Sequence, residues 1–102
     1  MDAVDGFALR VEQDGQGPVV WVSGELDITT APLLRDCLDD FNGQPVTIDF
    51  SGVTFLDSSG LAVLIGRYSQ VGPDSLLLRG VRPAQMRVFE ITRLDEILDF
   101  NE

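Results

Sequence analysis

The sequence predicts a single α/β domain with a mixed, mostly parallel sheet of four to five strands and about three helices. Apolar residues alternate along the amino-terminal segment, as in a half-buried strand, and later recur at spacings of three and four, as in amphipathic helices. Strand-like and helix-like stretches then follow one another, which is the order that right-handed crossovers between parallel strands require. The 102 residues of the chain are the length of one domain.

The first half of the chain predicts a β-hairpin, a loop and one helix. The hairpin consists of a strand beginning at Phe7 and a strand over 19–22, joined by a glycine-rich turn over 14–18. The segment 23–27 then leaves the sheet as a loop. The helix that follows is capped by Thr29 or Thr30. Its apolar stripe consists of Leu34, Cys37, Leu38 and Phe41, and it ends at Asn42-Gly43.

The second half of the chain predicts strands alternating with helices. The second helix shows one apolar stripe, and the short run of leucines near residue 77 suits a strand that is covered on both faces. The predicted elements are a strand over 46–50, a helix from Ser58 to about Gly72-Pro73, a strand over 76–78, a helix over 83–91 and a short strand over 97–100.

The composition argues against several classes of function. The chain has no histidine and no lysine, so common general bases are missing, and a single cysteine excludes an internal disulfide and any multi-cysteine metal site. The net charge of −10 disfavours binding to a nucleic acid backbone. No apolar run approaches the ~20 residues of a membrane span. We therefore expect a soluble cytoplasmic protein without a metal or other cofactor, and without nucleic acid or membrane partners.

The turn at 57–60, with the sequence Asp-Ser-Ser-Gly, is the most informative segment. Asp57 can cap the second helix by accepting a hydrogen bond from the N–H two or three residues later. In that register Leu56 precedes the cap and Leu61 is the fourth helical residue, which together form a hydrophobic staple. Ser58 then occupies the first helical position, where free N–H groups and the helix dipole favour an anion.

Residues 55–68 carry a resemblance to a known family. They begin Phe-Leu-Asp-Ser-Ser-Gly-Leu and end Ile-Gly-Arg-Tyr, which resembles the signature of the anti-sigma factor antagonists, small members of the STAS family. Residues 23–27, Ser-Gly-Glu-Leu-Asp, resemble that family's loop after the second strand, and residues 83–89 resemble part of its third helix. The likeness runs over about 7–100, so the resemblance implies one STAS domain over 1–102.

The resemblance implies a partner-switching function for this chain. In that family the first serine of the turn is phosphorylated by an anti-sigma factor that is also an ATP-dependent serine kinase, which corresponds to Ser58 here. The unphosphorylated antagonist binds this partner and frees the sigma factor, and a separate serine phosphatase resets the switch. Helical phase alone favours the hydroxyl of Ser59 as the more exposed one, because Ser59 lies nearly opposite the apolar stripe. Ser59 is therefore the reserve acceptor.

The partner-binding surface is predicted at the carboxyl ends of the strands, where the loop after the second strand meets the start of the second helix. Arg67 and Tyr68 also have structural interpretations, as a solvated helix residue and as part of the apolar stripe, and Trp21 is interpreted as packed in the sheet. The predicted contacts are Asp27, Thr30, Asp57, Ser58, Ser59, Leu61 and Arg67, with Tyr68 as a further candidate.

Two enzymatic functions and one binding function compete with this interpretation. A serine hydrolase needs a base beside the serines, and only carboxylates are available. A receiver-like phospho-aspartate domain could use Asp57, but such domains resemble one another in a lysine and an acidic pair that this chain lacks. We therefore expect no enzymatic activity. The alternative that the sequence leaves open is a constitutive STAS scaffold, or a transporter-associated interaction module, that phosphorylation does not control.

Overall fold

A mixed six-stranded sheet underlies the fold, and its strands lie side by side in the order in which they occur along the chain. The computed structural model describes residues 3–4, 6–15, 17–72 and 74–101. Its elements are β1 (Ala3–Val4), β2 (Phe7–Asp14), β3 (Gly17–Leu26), α1 (Ala31–Asp39), β4 (Val46–Leu56), α2 (Ser58–Val71), β5 (Leu76–Arg79), α3 (Pro83–Ile91), a 3-10 turn (Leu94–Glu96) and β6 (Asp99–Asn101). The pairs β1–β2 and β2–β3 are antiparallel, and the three pairs from β3 to β6 are parallel.

This architecture confirms the predicted fold class. The sheet is mixed and mostly parallel, three α-helices connect its strands, and α3 has the predicted bounds. The two-residue β1 was not predicted and raises the strand count to six. The predicted last strand is displaced to 99–101 because a 3-10 turn and its cap Ile97 occupy the preceding residues. Gln16 in the predicted hairpin turn and Pro73 at the predicted end of the second helix lie outside the described residues.

The prediction that 23–27 leave the sheet as a loop is wrong, because β3 continues to Leu26 alongside β4, which continues to Leu56. Register shifts interrupt the β3–β4 pairing after Trp21 and after Gly24. Such irregularities hide the alternating pattern that marks a strand in a sequence. Gly24 has φ +95°, and a Cβ atom there would lie 1.6 Å from the carbonyl oxygen of Gly6. Only glycine fits this close approach of two backbones.

The helices bury their apolar stripes on one continuous core. α1 contributes Leu34 and Leu38, α2 contributes Leu61 and Leu64, and α1 and α2 pack side by side. α3 packs through Phe89, whose ring contacts the rings of Phe50 and Phe100 in edge-to-face geometry at centroid distances of 6.2 and 5.1 Å. The core thus fixes the start of α2 against the ends of β3 and β4.

A row of polar side chains crosses four strands of the sheet. Arg10, Trp21, Asp49 and Arg79 occupy successive paired positions on β2, β3, β4 and β5. Both guanidinium groups lie 5.0 Å from the indole centroid, and the Nε of Arg79 donates to Asp49 Oδ2 at 2.8 Å. Trp21 is therefore packed in the sheet, as the sequence indicates, but as a cation–π partner of two arginines.

Burial and hydrogen bonding act in opposite directions on the Asp49 carboxyl. Its burial raises the pKa, but hydrogen bonds from the side chain and backbone of Ser51 and the charge and hydrogen bond of Arg79 lower it, so that the pKa lies below its ordinary value. The Asp49 side chain is only 8% exposed. Asp49 therefore stabilises the middle of the sheet as a carboxylate.

Candidate functional site

The site is formed where β4 ends and α2 begins. Asp57 has extended backbone angles (φ −119°, ψ −173°), and its carboxylate accepts hydrogen bonds from the N–H groups of Ser59 at 2.8 Å and Gly60 at 3.4 Å. The N–H of Asp57 donates to the carbonyl oxygen of Leu26 at 3.3 Å, which ties the turn to the end of β3. These bonds confirm the predicted cap and place Ser58 at the first helical position.

The hydroxyl-bearing residues of the turn differ in exposure. Ser58 is exposed, whereas Ser59 is half-buried and lines a cleft with Ala31 and Pro32 of α1. The expectation from helical phase, that Ser59 is the more exposed of the two, is therefore wrong. Helical phase predicts which residues are exposed when a helix packs on the core with one face only. Here the neighbouring helix α1 also covers the flank on which Ser59 lies.

The glycine of the turn is a packing residue. A Cβ atom on Gly60 would lie 2.7 Å from Leu56 Cδ1 and 2.8 Å from Leu26 Cγ. Leu26 is fully buried, and Leu56 and Leu61, the predicted staple pair, are 7% and 6% exposed in the same core. The first turn of α2 thus approaches the ends of β3 and β4 more closely than it could if the residue at position 60 carried a side chain.

A second closed turn, over 27–30, joins β3 to α1 beside this site. The carboxylate of Asp27 accepts from the N–H groups of Thr29 and Thr30 at 2.9 and 3.1 Å. The hydroxyl of Thr30 donates to the carbonyl oxygen of Glu25 at 2.7 Å and accepts from the N–H of Asp27 at 2.9 Å. These bonds hold the turn rigidly and leave Ile28 at its tip, 77% exposed.

The predicted capping of α1 by a threonine hydroxyl is only half right. Thr30 is the N-cap residue, but its side chain makes no capping hydrogen bond to α1. Its hydroxyl is directed back to the end of β3, as described above, and the residue is 4% exposed. Thr30 therefore contributes to the site by fixing the shape of the turn.

The predicted contact residues fall into an accessible group and a buried group. Ser58 is exposed and Asp27, Asp57 and Ser59 are half-buried, and these four lie together around the two turns. Three others are buried: Thr30 (4% exposed), Leu61 (6%) and Arg67 (6%). Tyr68 is half-buried and packs against the core.

Arg67 has a structural role, and the interpretation of it as a solvated residue is wrong. Its Nη1 donates to the carbonyl oxygen of Leu38 at 2.7 Å, and its Nη2 donates to that of Gln44 at 2.8 Å. Burial lowers the pKa of the guanidinium, and the charge of Asp39 opposes that effect. Arg67 thus binds carbonyl groups at the end of α1 and in the segment after it, and its contact with a partner stays a prediction that this burial disfavours.

Sequence reasoning missed one exposed residue of the site, Ile28. Its signal in the sequence is a lone isoleucine between Asp27 and Thr29, inside a polar loop.

Among the described residues, no helix is long and apolar enough to cross a membrane. Within the same part of the chain, no three Cys, Asp or Glu side chains are grouped so that they could hold a metal ion.

Comparison with known proteins defines the class to which this fold belongs. The family model described as "Mlab, STAS domain" matches residues 9–99. The anti-sigma-B factor antagonist of Bacillus subtilis (strain 168) is 33% identical over 97 residues, which cover 91% of this chain and 89% of that protein. The chain belongs to the STAS domain family.

Solved structures support the same class. The crystal structure of an anti-sigma factor antagonist from Mycobacterium paratuberculosis matches with a TM-score of 0.84 and 33% identity, over 98% of this chain and 89% of that one. The Bacillus cell fate determinant SpoIIAA in its phosphorylated form matches with a TM-score of 0.68 over 93% of this chain and 92% of that one. At 23% identity, this second likeness shows the fold alone.

Proposed function

We propose that this protein is an anti-sigma factor antagonist that is controlled by phosphorylation at Ser58. In its unphosphorylated form it binds an anti-sigma factor that is also a serine kinase, and so releases the sigma factor. A serine phosphatase removes the phosphate and restores binding. The protein acts in this cycle as a cytoplasmic substrate and binding partner and not as an enzyme.

The exposure of Ser58 is the observation that carries this proposal. Ser58 is the exposed hydroxyl of the turn, whereas Ser59 is half-buried against α1. The carboxylate of Asp57 is occupied by two backbone N–H groups, so it is committed to the cap and does not compete for the hydroxyl. A kinase can therefore reach Ser58 without any rearrangement of the turn.

The location of Ser58 also explains how a phosphate would switch binding without unfolding the domain. A phosphate adds about −1.5 to −2 charges, and the amino-terminal end of a helix stabilises negative charge. Asp27 and Asp57 already lie in the two turns of the site, which the hydrogen bond from the N–H of Asp57 to Leu26 joins. A partner surface that packs against Ser58 would therefore meet a concentrated negative charge that must lose its water, which is costly.

Variants of the two serines test this proposal. The unmodified protein and Ser58→Ala are expected to capture the anti-sigma factor from a lysate of the native organism, whereas Ser58→Asp folds normally and does not. Ser59→Asp tests the reserve acceptor, and Ser23→Asp, at an exposed position on β3, controls for an added charge elsewhere. Mass spectrometry of the captured protein identifies it, and phosphosite mapping after incubation with ATP shows which serine is modified.

One outcome distinguishes the switch from the scaffold. If all four variants bind a partner equally and no phosphate is found on either serine, the domain is a constitutive STAS scaffold or a transporter-associated module. The family model that matches this chain describes a STAS domain in general, so that alternative is compatible with family membership.

A further inference from the structure

The solvent face of α2 carries no charge. Charged residues make up 24% of the chain, but the only one in this 14-residue helix is Arg67, which is buried. The exposed positions of the helix are Ser58, Ala62, Ile65, Ser69, Gln70 and Val71. By contrast, α1 exposes three charged side chains and α3 exposes two. Depletion of charge distinguishes the centre of a protein interface from the rest of a surface.

Two exposed isoleucines lie on this surface, one on α2 and one on the turn beside it. Ile65 is 42% exposed; it follows Ser58 by seven residues, which places it about 20° away around the helix and about 10 Å further along it. Ile28 is 77% exposed at the tip of the closed turn. It lines a cleft of about 320 Å³ together with Ser59 and Ala62 of α2. Ser58 thus shares a helix face with Ile65, and its neighbour Ser59 shares a cleft with Ile28.

The rigidity of both positions favours a role in binding. Ile28 is held by the hydrogen bonds of Asp27 and Thr30, and Ile65 lies in the middle of a capped helix. Neither residue needs to be ordered when a partner arrives, so burial of its side chain is not offset by a loss of backbone freedom. An isoleucine side chain that is exposed on such a turn contributes no apolar burial to the stability of the fold.

We propose that Ile28 and Ile65 are the apolar anchors by which this chain holds the kinase that modifies Ser58; this deepens the proposed function and rests on it. A kinase that reaches the hydroxyl of Ser58 covers the surface around it, which includes the uncharged face of α2 and the turn at 27–30. Its contact surface is therefore apolar at the two points that meet Ile28 and Ile65. A phosphate on Ser58 would add negative charge to the same surface and so oppose the approach of the kinase to the anchors.

Alanine variants of the two anchors test this, with matched controls in the same chain. Ile91 on α3 is 75% exposed and matches Ile28, and Ile97 is 48% exposed and matches Ile65. The affinity of each variant for the purified anti-sigma factor, identified by the capture experiment, is measured by isothermal titration calorimetry. Ile28→Ala and Ile65→Ala are each expected to weaken binding about tenfold, as truncation of a well-placed apolar anchor does. Ile91→Ala and Ile97→Ala are expected to leave the affinity unchanged.

The outcomes separate this inference from the proposed function. If the unmodified protein binds the anti-sigma factor and Ser58→Asp does not, but the anchor variants bind as tightly as their controls, the inference is overturned and the proposed function stands. If the unmodified protein binds no anti-sigma factor, the proposed function fails and the inference with it. If the anchor variants change self-association in analytical ultracentrifugation instead of the affinity for the kinase, the face is a contact between copies of this chain, and the proposal is wrong. Circular dichroism of each variant confirms that these exposed substitutions leave the fold intact.

Discussion

The glycine that ends the Asp-Ser-Ser-Gly turn can be tested against a second glycine of the same helix. A Cβ atom on Gly60 would lie 2.7 Å from Leu56 Cδ1 and 2.8 Å from Leu26 Cγ, whereas at Gly66 it would meet nothing within 4 Å. Neither glycine has a positive φ, so alanine fits the backbone at both positions. Alanine is the better helix former by about 1 kcal/mol. Gly66→Ala is therefore expected to stabilise the domain, while Gly60→Ala is not.

The difference between the two variants is mainly a packing cost. The helix propensity of alanine favours both substitutions, but only Gly60→Ala adds overpacking, about 1–3 kcal/mol. Leu26 is fully buried and its Cγ cannot retreat into solvent, so the cost should not vanish by relaxation of Leu56 alone. At about 4 °C per kcal/mol for a domain of this size, Gly60→Ala should melt about 4–12 °C below Gly66→Ala.

Urea denaturation, followed by the fluorescence of Trp21, measures both free energies of unfolding in one assay. Trp21 is suitable because two guanidinium groups lie 5.0 Å from its ring centroid in the folded sheet and are lost on unfolding. Equal stabilisation by both substitutions would refute the packing argument, since it would mean that the first turn of α2 can move away from β3 at no cost.

Two further substitutions test the roles of buried charges. Asp49→Asn is expected to destabilise the domain near neutral pH by about 2 kcal/mol, because hydrogen bonds to a charged group are lost. The pKa of Asp49 is lowered in the fold. Its contribution to the free energy of unfolding is therefore fully present at a pH above its ordinary pKa and is lost as the pH falls through the pKa of the folded state. The difference in free energy of unfolding between wild type and variant, measured in urea titrations, should narrow on acidification, and a constant difference would contradict the assignment. Arg67→Met leaves the carbonyl groups of Leu38 and Gln44 without their donor and should lower the melting temperature, by about 4 °C or more for a loss of at least 1 kcal/mol. A loss of partner binding at unchanged melting temperature would instead make Arg67 a contact residue.

The sequence predicted those parts of the site that depend on short-range chemistry. The cap at Asp57 requires only a carboxylate two residues before a backbone N–H, and the structure has that hydrogen bond at 2.8 Å. The start of α3 follows in the same way from Pro83, which is favoured at the first position of a helix. Such features are written in a few neighbouring residues and do not depend on the rest of the fold.

The features that the sequence did not predict depend on contacts between distant segments. The segment 23–26 resembles a loop in the sequence because it contains Gly24. A glycine is required there by the close approach to the backbone of Gly6, and no local pattern shows that approach. The relative exposure of Ser58 and Ser59 is decided by α1, which covers one flank of α2. Arg67 is buried because carbonyl groups 29 and 23 residues away accept its hydrogen bonds. In each case the neighbour that decides the outcome lies elsewhere in the chain.

The residues of the turn have separate tasks, which makes Ser58 suitable for modification. Asp57 begins the helix and Gly60 lets it approach β3, so the position of the turn does not depend on the hydroxyl of Ser58. A phosphate there would gain about 0.3–1 kcal/mol from the helix dipole at an exposed site, which offsets part of its repulsion by Asp57. The cost of the new charge then appears mainly when a partner displaces the water around it. A modification at this one position can therefore change the stability of a complex while it leaves the stability of the domain nearly constant.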